Sequence, residues 1–425
     1  MIPTMSSPTI SIEDACERLI DYRGKTPPKT ETGIRLITAK VIKDGEVLSE
    51  PAEYIAADYY DEWMRRGLPK CGDVLITTEA PLGEVALLKS DDKIALAQRV
   101  ILLRAHPDRV LPRFLFYAVQ SDFAKGELRA RSSGTTVLGI KQSELRKVRV
   151  PHFELGKQRR IAAILSVYDD LIENNQRRIR ILEEMARLIY REWFVNFRFT
   201  GHEKLPRVAS PGDIPQGWEV VSIDDVCSRV TDGSHHSPKS VDEGLPMASS
   251  KDMHDWGLSL DTCRLISPED FADLVRNDCK PKKNDVLITK DGANYLKFIF
   301  VTRAEQDVVL LSSVAMLRPN ARINPHLLAA ILKEPENKGR LKNYVTGAAI
   351  PRVILKDFKR FELLLPSKEV QTAWAKIAEP MTEQIWCLIA TVRNLRRSRD
   401  LLLPKLMSGE IDVSKLPPPP ATLAS

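Results

Sequence analysis

KCGDVLIT occupies residues 70–77, and KKNDVLIT occupies residues 282–289. The run DVLIT therefore begins at residue 73 and again at residue 285 of the same chain. Apolar runs of this length are common in buried strands, so five matching residues can arise by chance. The neighbouring sequence decides whether the chain contains a true repeat.

The segments that flank DVLIT also recur, in the same order and at nearly the same spacing. The alignment begins at an offset of 211 residues and ends at an offset of 213 residues. The clearest matches are SIEDACERLIDYRGKTP (11–27) with SIDDVCSRVTDGSHHSP (222–238), GTTVLGIKQSEL (134–145) with GAAIPRVILKDF (347–358), Gln158 with Gln371, and Leu188 with Leu401. Such self-similarity indicates a tandem duplication of about half the chain.

The first part of each copy spans about 150 residues and alternates short β-rich runs with turn residues. Short helices are predicted around residues 112–123 and 324–332. This pattern predicts a globular α+β domain with a mixed sheet in each copy. In the first copy the strand-forming runs are RLITAKVI (35–42), DVLITT (73–78), EVALL (84–88) and RVILLRA (99–105).

The second part of each copy is helical. Residues 158–194 contain no Gly or Pro, which allows a helix of about 55 Å at ~1.5 Å per residue. Asn175 lies in its apolar seam, where a polar residue can fix the register of paired helices. The stripe consists of Ile161, Tyr168, Asn175, Leu182 and Ile189, with Ile164, Leu171, Ile172, Ile179, Met185 and Trp193.

Residues 370–407 of the second copy carry a similar stripe, with Trp374 near its start and Leu402 near its end. Pro380 is expected to kink or interrupt this helix, and Pro404 to weaken its end. The first helix runs from the first domain toward the second, and the second helix can run back. Chain order therefore predicts two antiparallel, coiled-coil-like helices that separate two duplicated α+β domains with pseudo-twofold symmetry.

Composition narrows the class of protein. The chain is 43% hydrophobic and 28% charged, and no apolar run reaches the ~18 residues needed to cross a bilayer. Its N-terminus lacks the basic start and apolar middle of a signal peptide. The six cysteines form no CxxC or Cys/His cluster, which favours reduced thiols in a cytoplasmic protein without a metal site.

Positive charge is concentrated in residues 125–149, with seven basic and two acidic side chains, although the whole chain carries only +6. A solvated basic face and a phosphate-contacting surface are both compatible with this segment.

Motifs for catalysis are missing. GKT at 24–26 resembles the end of a phosphate-binding loop, but that loop requires Gly where Leu19 stands. No amino-methyltransferase motif and no nuclease-type carboxylate pair with ExK is visible. The adjacent His235 and His236 are expected to be loop residues rather than metal ligands. Two β-rich domains with basic loops suggest a reader of a bipartite target, and duplex DNA is the natural candidate.

The sequence resembles the specificity (S) subunit of type I restriction–modification systems, the HsdS family. The resemblance extends from about residue 10 to residue 413 and includes the duplication. Two segments depart from the family pattern, since the first copy lacks a P-x-G-W start and DGANYLKFIFV (291–301) replaces a turn like that in APLGEVALL (80–88). The segments that carry the resemblance are IYREWFVNFRF (189–199), IPQGWEVVSIDDV (214–226), GDVLITTEAPLGEVALL (72–88), GTTVLGIKQSELRKVRVP (134–151) and LLLPKLMSGEIDV (401–413).

The resemblance implies a non-catalytic subunit in which each target recognition domain reads one half of an asymmetric, bipartite DNA sequence. The helices would act as a ruler and as a dock for two methyltransferase subunits, which carry S-adenosylmethionine. Restriction subunits using ATP and Mg²⁺ would join the larger complex, and none of these cofactors would bind this chain. The implied regions are recognition domains at 1–156 and 218–368, helical regions at 157–200 and 369–411, a linker at 201–217 and a disordered tail at 412–425.

Loop residues that can donate or accept hydrogen bonds are the candidates for DNA contact. Gly134 and Gly347 are interpreted as turn residues. In the first domain the candidates are Arg23, Lys25, Thr26, Lys40, Thr77, Thr78, Arg99, Arg129, Arg131, Ser132, Ser133 and Thr135. In the second domain they are His235, His236, Lys239, Lys251, Lys290, Asn294, Lys342, Asn343 and Arg352, and the candidates for partner docking are Trp193, Phe194 and Phe197.

Two other functions stay open at the level of sequence. One is a single-chain methyltransferase or nuclease with an unrecognised site, and the other is a scaffold that binds only proteins. Methyl transfer by the isolated chain would support the first, and a complex that lacks salt-dependent DNA binding would support the second.

Overall fold

The computed structural model describes residues 8–22, 26–204, 207–208, 214–347 and 351–416. The chain forms two compact units. The first unit consists of residues 1–176 together with 391–425, and the second unit consists of residues 177–390. Each unit therefore contains one globular region and a segment from each of two long helices.

The DVLIT strand of the first unit lies inside a four-stranded antiparallel sheet with the order β2-β10-β7-β8. All five residues of β7 are buried. A separate three-stranded sheet, β6-β3-β9, contains the parallel pair β3 and β9. The strands are β1 Thr9–Ser11, β2 Cys16–Asp21, β3 Ile34–Ile37, β4 Ile42–Lys43, β5 Glu46–Val47, β6 Tyr54–Ile55, β7 Val74–Thr78, β8 Leu82–Leu87, β9 Ile94–Leu96, β10 Val100–Ala105 and β11 Arg149–Pro151.

The predicted mixed sheet is present, but it is the smaller of the two sheets. The main sheet is wholly antiparallel, and mixed pairing is confined to the smaller sheet. Alternating runs along the chain show where strands are, but partners distant in sequence decide their direction.

Helices cover one side of the first unit's core. Pro112 begins α3, where its fixed φ suits the first helical position. Ser121 ends that helix and caps the next one, because its Oγ accepts a hydrogen bond from the Ala124 N–H. The helices are α1 Ile12–Ala15, α2 Tyr60–Trp63, α3 Pro112–Gln120, α4 Asp122–Ala130, α5 Gln142–Lys147 and the long α6 Leu155–Tyr190, with a 3₁₀ turn at Ala39–Val41.

The second unit repeats this sheet arrangement. Its four-stranded sheet has the order β15-β23-β20-β21, and its three-stranded sheet pairs β16 with β19 and, in parallel, with β22. The strands are β12 Arg207–Val208, β13 Ile214–Pro215, β14 Glu219–Ser222, β15 Cys227–Asp232, β16 Leu245–Ala248, β17 Met253–His254, β18 Gly257–Leu258, β19 Arg264–Ile266, β20 Val286–Thr289, β21 Ile299–Val301, β22 Val309–Leu310, β23 Val314–Pro319, β24 Val345–Thr346, β25 Arg352–Val353 and β26 Glu362–Leu365.

The helices of the second unit also follow the order of the first. The helix predicted around 324–332 is α9, and Asn324 caps it through hydrogen bonds from two backbone N–H groups. The helices are α7 Ile223–Val226, α8 Pro268–Arg276, α9 Pro325–Lys333, α10 Pro335–Leu341, α11 Leu355–Phe358 and the long α12 Lys368–Ser408, with a π turn at Arg191–Val195 and 3₁₀ turns at His202–Lys204, Leu260–Thr262 and Lys342–Tyr344.

The aspartate of the repeated DVLIT run forms a buried ion pair in both units. In the first unit Asp73 Oδ1 and Oδ2 accept hydrogen bonds from Arg104 at 2.8 and 2.6 Å. In the second unit Arg318 donates to both oxygens of Asp285 at 2.9 Å. Each pair joins the start of a buried strand to the neighbouring strand, which explains why the motif begins with aspartate.

The long helices run antiparallel within each unit. In the first unit Asp169 of α6 pairs with Arg399 of α12 at 2.7 Å, so the early part of α6 meets the late part of α12. In the second unit Phe194, just after α6, packs against Trp374 near the start of α12 with ring centres 5.7 Å apart.

The helix α12 is continuous through Pro380 and Pro404, so the predicted interruption at Pro380 is wrong, while a kink at Pro380 and a weakened end at Pro404 stay predictions. A proline inside a helix removes one backbone hydrogen bond, and its ring crowds the carbonyl group four residues earlier. Buried side chains on both sides of Pro380, Trp374 and Ile385 among them, hold the helix against its neighbours.

The apolar stripe of α6 is narrower than predicted. Ile161, Ile172 and Asn175 are buried, whereas Leu171 and Met185 are 44% and 43% exposed. A pair of helices buries only a limited arc of each, so positions at the edge of the stripe stay in solvent.

The predicted linker and tail both contain ordered residues. Within 201–217, β12 pairs with β13 and Ile214 is buried, while 205–206 and 209–213 lie outside the described residues. At the C-terminus Val413 is fully buried and the Arg160 Nε donates to the Leu416 carbonyl oxygen at 3.0 Å. The prediction of disorder is therefore wrong for 412–416, and 417–425 lie outside the described residues.

None of the helices that the structure describes has the length and apolar character needed to cross a membrane.

Candidate nucleic-acid interface

A cleft lies at the end of the first DVLIT strand. The Thr78 N–H donates to the Arg99 carbonyl oxygen at 3.0 Å, which brings Arg99 beside the end of β7. Glu79 forms an isolated bridge with Gly139, which anchors the glycine-containing loop at 132–141 on the opposite side. The cleft is lined by Thr78, Glu79, Gln98, Arg99, Ser133, Val137, Gly139, Ile140 and Lys141.

The loop keeps its shape through glycine and through backbone hydrogen bonds. Gly134 has φ of +116°, and a Cβ there would lie 2.1 Å from the Val137 carbonyl oxygen. Ser133 and Gly139 exchange backbone hydrogen bonds of 2.8 and 2.9 Å. Gly134 therefore serves the turn, as predicted. The loop tip presents Val137 and Leu138 to solvent, at 48% and 46% exposed.

Thr77 and Thr78 are not available for DNA contact, which corrects two predictions. Their exposed fractions are 0% and 3%. Thr77 Oγ1 donates to the Pro81 carbonyl oxygen at 2.6 Å and accepts from the Glu84 N–H, so it closes the β7–β8 turn. Thr78 Oγ1 donates to the Arg99 carbonyl oxygen at 3.3 Å. Both hydroxyls are therefore used in hydrogen bonds within the protein that stabilise the region of the cleft.

The basic segment 125–149 divides into structural and free cations. Arg131 contacts the carboxylates of Glu127 and Glu144 at 3.2 and 3.7 Å, and so connects α4 with α5. A hydrogen bond from Lys147, supported by Arg131, lowers the pKa of Glu144. Arg129 is exposed and has no ion pair within the described chain. Arg129 is therefore better placed than Arg131 to meet a phosphate.

Of the other candidates of the first unit, only Arg99 and Ser133 line the cleft. Arg99 is half-exposed, 3.6 Å from the carboxylate of Glu79, and lines the cleft with Ser133. Lys40 lies 3.7 Å from Glu53 and is not among the lining residues. Thr26 and Thr135 are exposed, Ser132 donates to the Arg129 carbonyl oxygen, and Arg23 and Lys25 lie outside the described residues.

Two residues that line the cleft with side-chain hydrogen-bond donors were not among the predicted DNA contacts. Gln98 precedes Arg99, and Lys141 follows the glycine loop at the start of α5. Their positions next to selected residues were the signal that could have identified them.

In the second unit Lys290 is buried, which corrects a third prediction. Its exposed fraction is 4%, and its Nζ lies 2.7 Å from Asp232 Oδ2. His235 Nε2 is 3.2 Å from the same oxygen. Arg352 approaches Asp291 at 3.4 Å and occupies the position that aligns with Gly139. The charges at this strand end are therefore arranged differently in the two units.

The remaining candidates of the second unit stay predictions. Asn294 is partly buried, and its carbonyl oxygen accepts a hydrogen bond from Lys297. No group of three or more His, Cys, Asp or Glu residues in the described chain is placed to hold a metal ion. The exposed candidates are His236, Lys239, Lys251, Lys342 and Asn343.

Phe194, predicted to dock a partner, belongs to the core of the second unit. It is 8% exposed, with ring centres 5.3 Å from Tyr190, 5.8 Å from Trp218 and 5.7 Å from Trp374. Trp193 and Phe197 are partly buried and pack against this cluster. The docking prediction is wrong for Phe194, because two of its ring partners, Trp218 and Trp374, come from sequence positions that a local pattern cannot connect.

Replacing Phe194 with leucine is expected to destabilise the second unit by about 1 kcal/mol, since three ring contacts are lost while most of the volume is kept. Urea unfolding of the full chain, followed by tryptophan fluorescence, measures this change. Trp193→Leu is the matched comparison, because Trp193 is less buried. Equal stability of Phe194→Leu and the unaltered chain would return Phe194 to the list of docking residues.

The family described as "Type I restriction modification DNA specificity domain" matches residues 35–184 and 215–389. The chain belongs to this family of specificity subunits. Its model matches twice, in the same two regions that the internal alignment pairs, so the duplication is confirmed independently.

Individual relatives agree with this assignment. The MjaIX specificity subunit of Methanocaldococcus jannaschii is 27% identical over 367 residues, which cover 84% of this chain and 81% of the relative. The EcoBI specificity subunit of Escherichia coli is 24% identical over 336 residues, covering 74% and 69%. The crystal structure of a type I S subunit from M. genitalium superposes with a TM-score of 0.56 at 17% identity, covering 95% of this specificity subunit and 96% of that chain.

Proposed function

We propose that this specificity subunit reads an asymmetric, bipartite DNA sequence, with one half-site contacted by each unit. The observation that carries the proposal is the duplication itself. Each unit has the same four-stranded sheet order, and the strand-end loops differ between the units. Two similar frames with different loops can present two different sets of donors and acceptors to two half-sites.

The cleft of the first unit offers groups for both kinds of DNA contact. Arg99 and Gln98 can donate to base edges or phosphates, and the exposed Val137 and Leu138 can meet a thymine methyl group. Arg129 can contact the phosphate backbone, which gives affinity without sequence preference.

The long helices would set the distance between half-sites and receive two methyltransferase subunits. Exposed apolar side chains on these helices support the docking role, because apolar patches left exposed on a folded protein mark sites of protein–protein contact. They include Leu171, Ile181, Met185 and Leu188 on α6 and Leu401 on α12. S-adenosylmethionine would be held by the methyltransferase subunits, and ATP with Mg²⁺ by restriction subunits. In this proposal the specificity subunit binds none of them and catalyses no reaction.

Mapping methylated adenines in DNA from cells that make the complex tests the proposal. One asymmetric sequence with a fixed spacer is expected. Exchanging residues 218–368 for the same region of another specificity subunit should change one half of that sequence and leave the other half intact. Methyl transfer by the isolated chain would contradict the non-catalytic role, and methylation that ignores the exchange would contradict the assignment of half-sites.

Replacing both Arg99 and Arg129 with alanine is expected to weaken binding of duplex DNA by the assembled complex. Each lost phosphate contact reduces the slope of log affinity against log salt by about 1, so the slope should fall by up to ~2. Fluorescence anisotropy between about 50 and 200 mM salt measures the slope. Arg65→Ala is the control, because Arg65 is exposed in the same unit and lies away from the cleft. Equal slopes for the double variant and the control would remove this cleft from the interface.

A further inference from the structure

The space beside the long helices differs in volume between the two units. In the first unit, Phe116 and Tyr117 of α3 and Arg399 of α12 fill the space beside the long helices. Tyr117 Oη donates to Asp169 Oδ2 at 2.5 Å, and Arg399 pairs with the other oxygen of the same carboxylate. The cavity left there is about 40 Å³.

The aligned positions in the second unit all carry alanine. At the offset of 213, Ala329 and Ala330 of α9 replace Phe116 and Tyr117, and Arg399 aligns with Ala186 of α6. Thr382 stands where Asp169 does in the first unit. The cavity here measures about 430 Å³, which is within the range of small-molecule sites.

The neighbouring hairpin differs in the opposite direction, with a small residue in the first unit and a large one in the second. Gly45 lies at the tip of the β4–β5 hairpin, where a Cβ would lie 3.1 Å from the Phe116 ring. The aligned hairpin β17–β18 carries Trp256 instead, opposite the small Ala329. The bulk has therefore moved from the helix to the hairpin, and the space between them has become an aromatic cavity rather than a packed core.

The walls of this cavity are aromatic and its polar groups are incompletely paired. Trp256, Trp374, Trp386 and Tyr190 line it. The Trp256 indole N–H donates to a Glu183 carboxylate oxygen, which fixes that ring. The Trp374 indole N–H is buried and has no acceptor among the described residues. A ligand that supplied an acceptor would remove the cost of that unsatisfied donor.

One basic side chain, that of Lys333, lines the cavity without forming an ion pair among the described residues. The Lys333 Nζ lies 4.5 Å from the centre of the Trp256 ring, and no described carboxylate lies within ion-pair distance of it. Two nearby acids have other partners, since Glu334 pairs with Arg191 at 3.0 Å and Glu183 accepts from Trp256, and a third, Asp255, lines the cavity beyond ion-pair distance of Lys333. Burial lowers the pKa of Lys333 to about 8. A bound anion would compensate for the cost of burying this charge.

We propose that this cavity of the second unit binds a planar aromatic anion of the nucleoside-monophosphate class. The base would stack on the indole rings, and the phosphate would meet the Lys333 ammonium. Stacking on aromatic side chains is tolerant of base identity, and an ammonium is a common phosphate ligand. Apart from Lys297, the lining residues lie outside the loop that follows β20, so this assignment and the proposed reading of DNA can fail separately.

The test is a titration of the full chain with purine nucleoside monophosphates, followed by tryptophan fluorescence and calorimetry. Saturable quenching is expected, with weaker binding of the nucleoside that lacks phosphate.

Lys333→Gln introduces the residue that the first unit has at Gln120 and should weaken binding at least about tenfold, the value of one charge-assisted hydrogen bond. Lys376→Gln is the matched control, because Lys376 is exposed on α12 and does not line the cavity. Ala329→Phe with Ala330→Tyr restores the residues of the first unit and should abolish binding, provided that its melting curve matches the unaltered chain.

Binding should also weaken between pH 7 and pH 9. Over this range Lys333 loses its proton, while the ligand phosphate is already a dianion. The charged groups that influence Lys333 are Asp255 and Glu183, which favour its protonated form, and Lys338, which opposes it. Lys333→Gln should bind with a smaller pH dependence over the same range, because Lys338, whose pKa burial also lowers, remains in the cavity.

A parallel titration of the assembled complex with duplex DNA separates two sources of the ligand. Quenching by the mononucleotide alone indicates a free nucleotide, and quenching by DNA that Lys333→Gln removes indicates a nucleotide extruded from the duplex. The proposal is overturned if neither produces saturable quenching, or if Lys333→Gln and Lys376→Gln bind equally. It is also overturned if the filled variant binds no less ligand but fails to assemble with partner subunits, because the cavity would then receive a protein side chain.

Discussion

Replacing Asp285 with alanine is expected to lower the free energy of unfolding of the second unit by about 3–5 kcal/mol. The side chain of Asp285 is 1% exposed and that of Arg318 is 20% exposed. The pair is bidentate, and Arg318 also contacts Asp278 at 3.2 Å. Removing Asp285 leaves the guanidinium partly buried with a weaker counter-ion, and this loss is larger than that of an exposed ion pair.

Urea unfolding of the full chain measures this effect, and the transition of the first unit serves as an internal reference. Asp273→Ala is the matched control, since Asp273 pairs with Arg276 at the surface and should change stability by less than about 1 kcal/mol. Adding Arg318→Met to Asp285→Ala should restore part of the lost stability, because it removes the buried charge that lacks its partner. If Asp285→Ala were as stable as the control, the aspartate of the repeated motif would have no structural role.

The general architecture could be predicted from sequence because its signals are local or repeated. The offset alignment located both units, and the absence of Gly and Pro located the first long helix. The helices at Pro112–Gln120 and Pro325–Lys333 follow from the same kind of pattern.

The errors concern side-chain contacts that the sequence pattern does not reveal. Lys290 was predicted to be an exposed loop cation, but it is buried and pairs with Asp232, which lies 58 residues away. Thr77 was predicted to be a loop donor, but its Oγ1 donates to the Pro81 carbonyl oxygen and accepts from the Glu84 N–H in the β7–β8 turn. In both positions the side chain type was consistent with DNA contact, and only the tertiary partner excluded it.

The cavity of the second unit shows a third situation. The substitutions that create it are visible in the alignment, as Phe116 and Tyr117 against Ala329 and Ala330. Two alanines in a helix normally indicate close packing. Here the two alanines line a cavity instead, because the hairpin that faces them carries Trp256 and the long helix carries Ala186. Neither contact can be inferred from the helix itself.

Inserting four residues into both long helices is expected to lengthen the spacer of the methylated sequence. The insertion sites are Gln176/Arg177 in α6 and Ala390/Thr391 in α12, where the chain passes between its two units. Four helical residues add about 6 Å, and base pairs follow each other at ~3.4 Å, so the spacer should grow by at most about two base pairs. Mapping of methylated adenines reads the spacer directly, and both half-sites should keep their sequences because the strand-end loops are unchanged.

Rotation determines how well such insertions are tolerated. Four residues turn the helix about 40° beyond one full turn, whereas seven residues fall only about 20° short of two turns. The seven-residue insertion should therefore preserve the apolar seam better and give the higher methylation, with a spacer longer by at most about three base pairs. Four Gly/Ser residues between Ser210 and Pro211 add chain length without helix and should leave the spacer unaltered. A spacer that stays constant in both helical variants, with methylation retained, would show that the helices do not set the distance between half-sites.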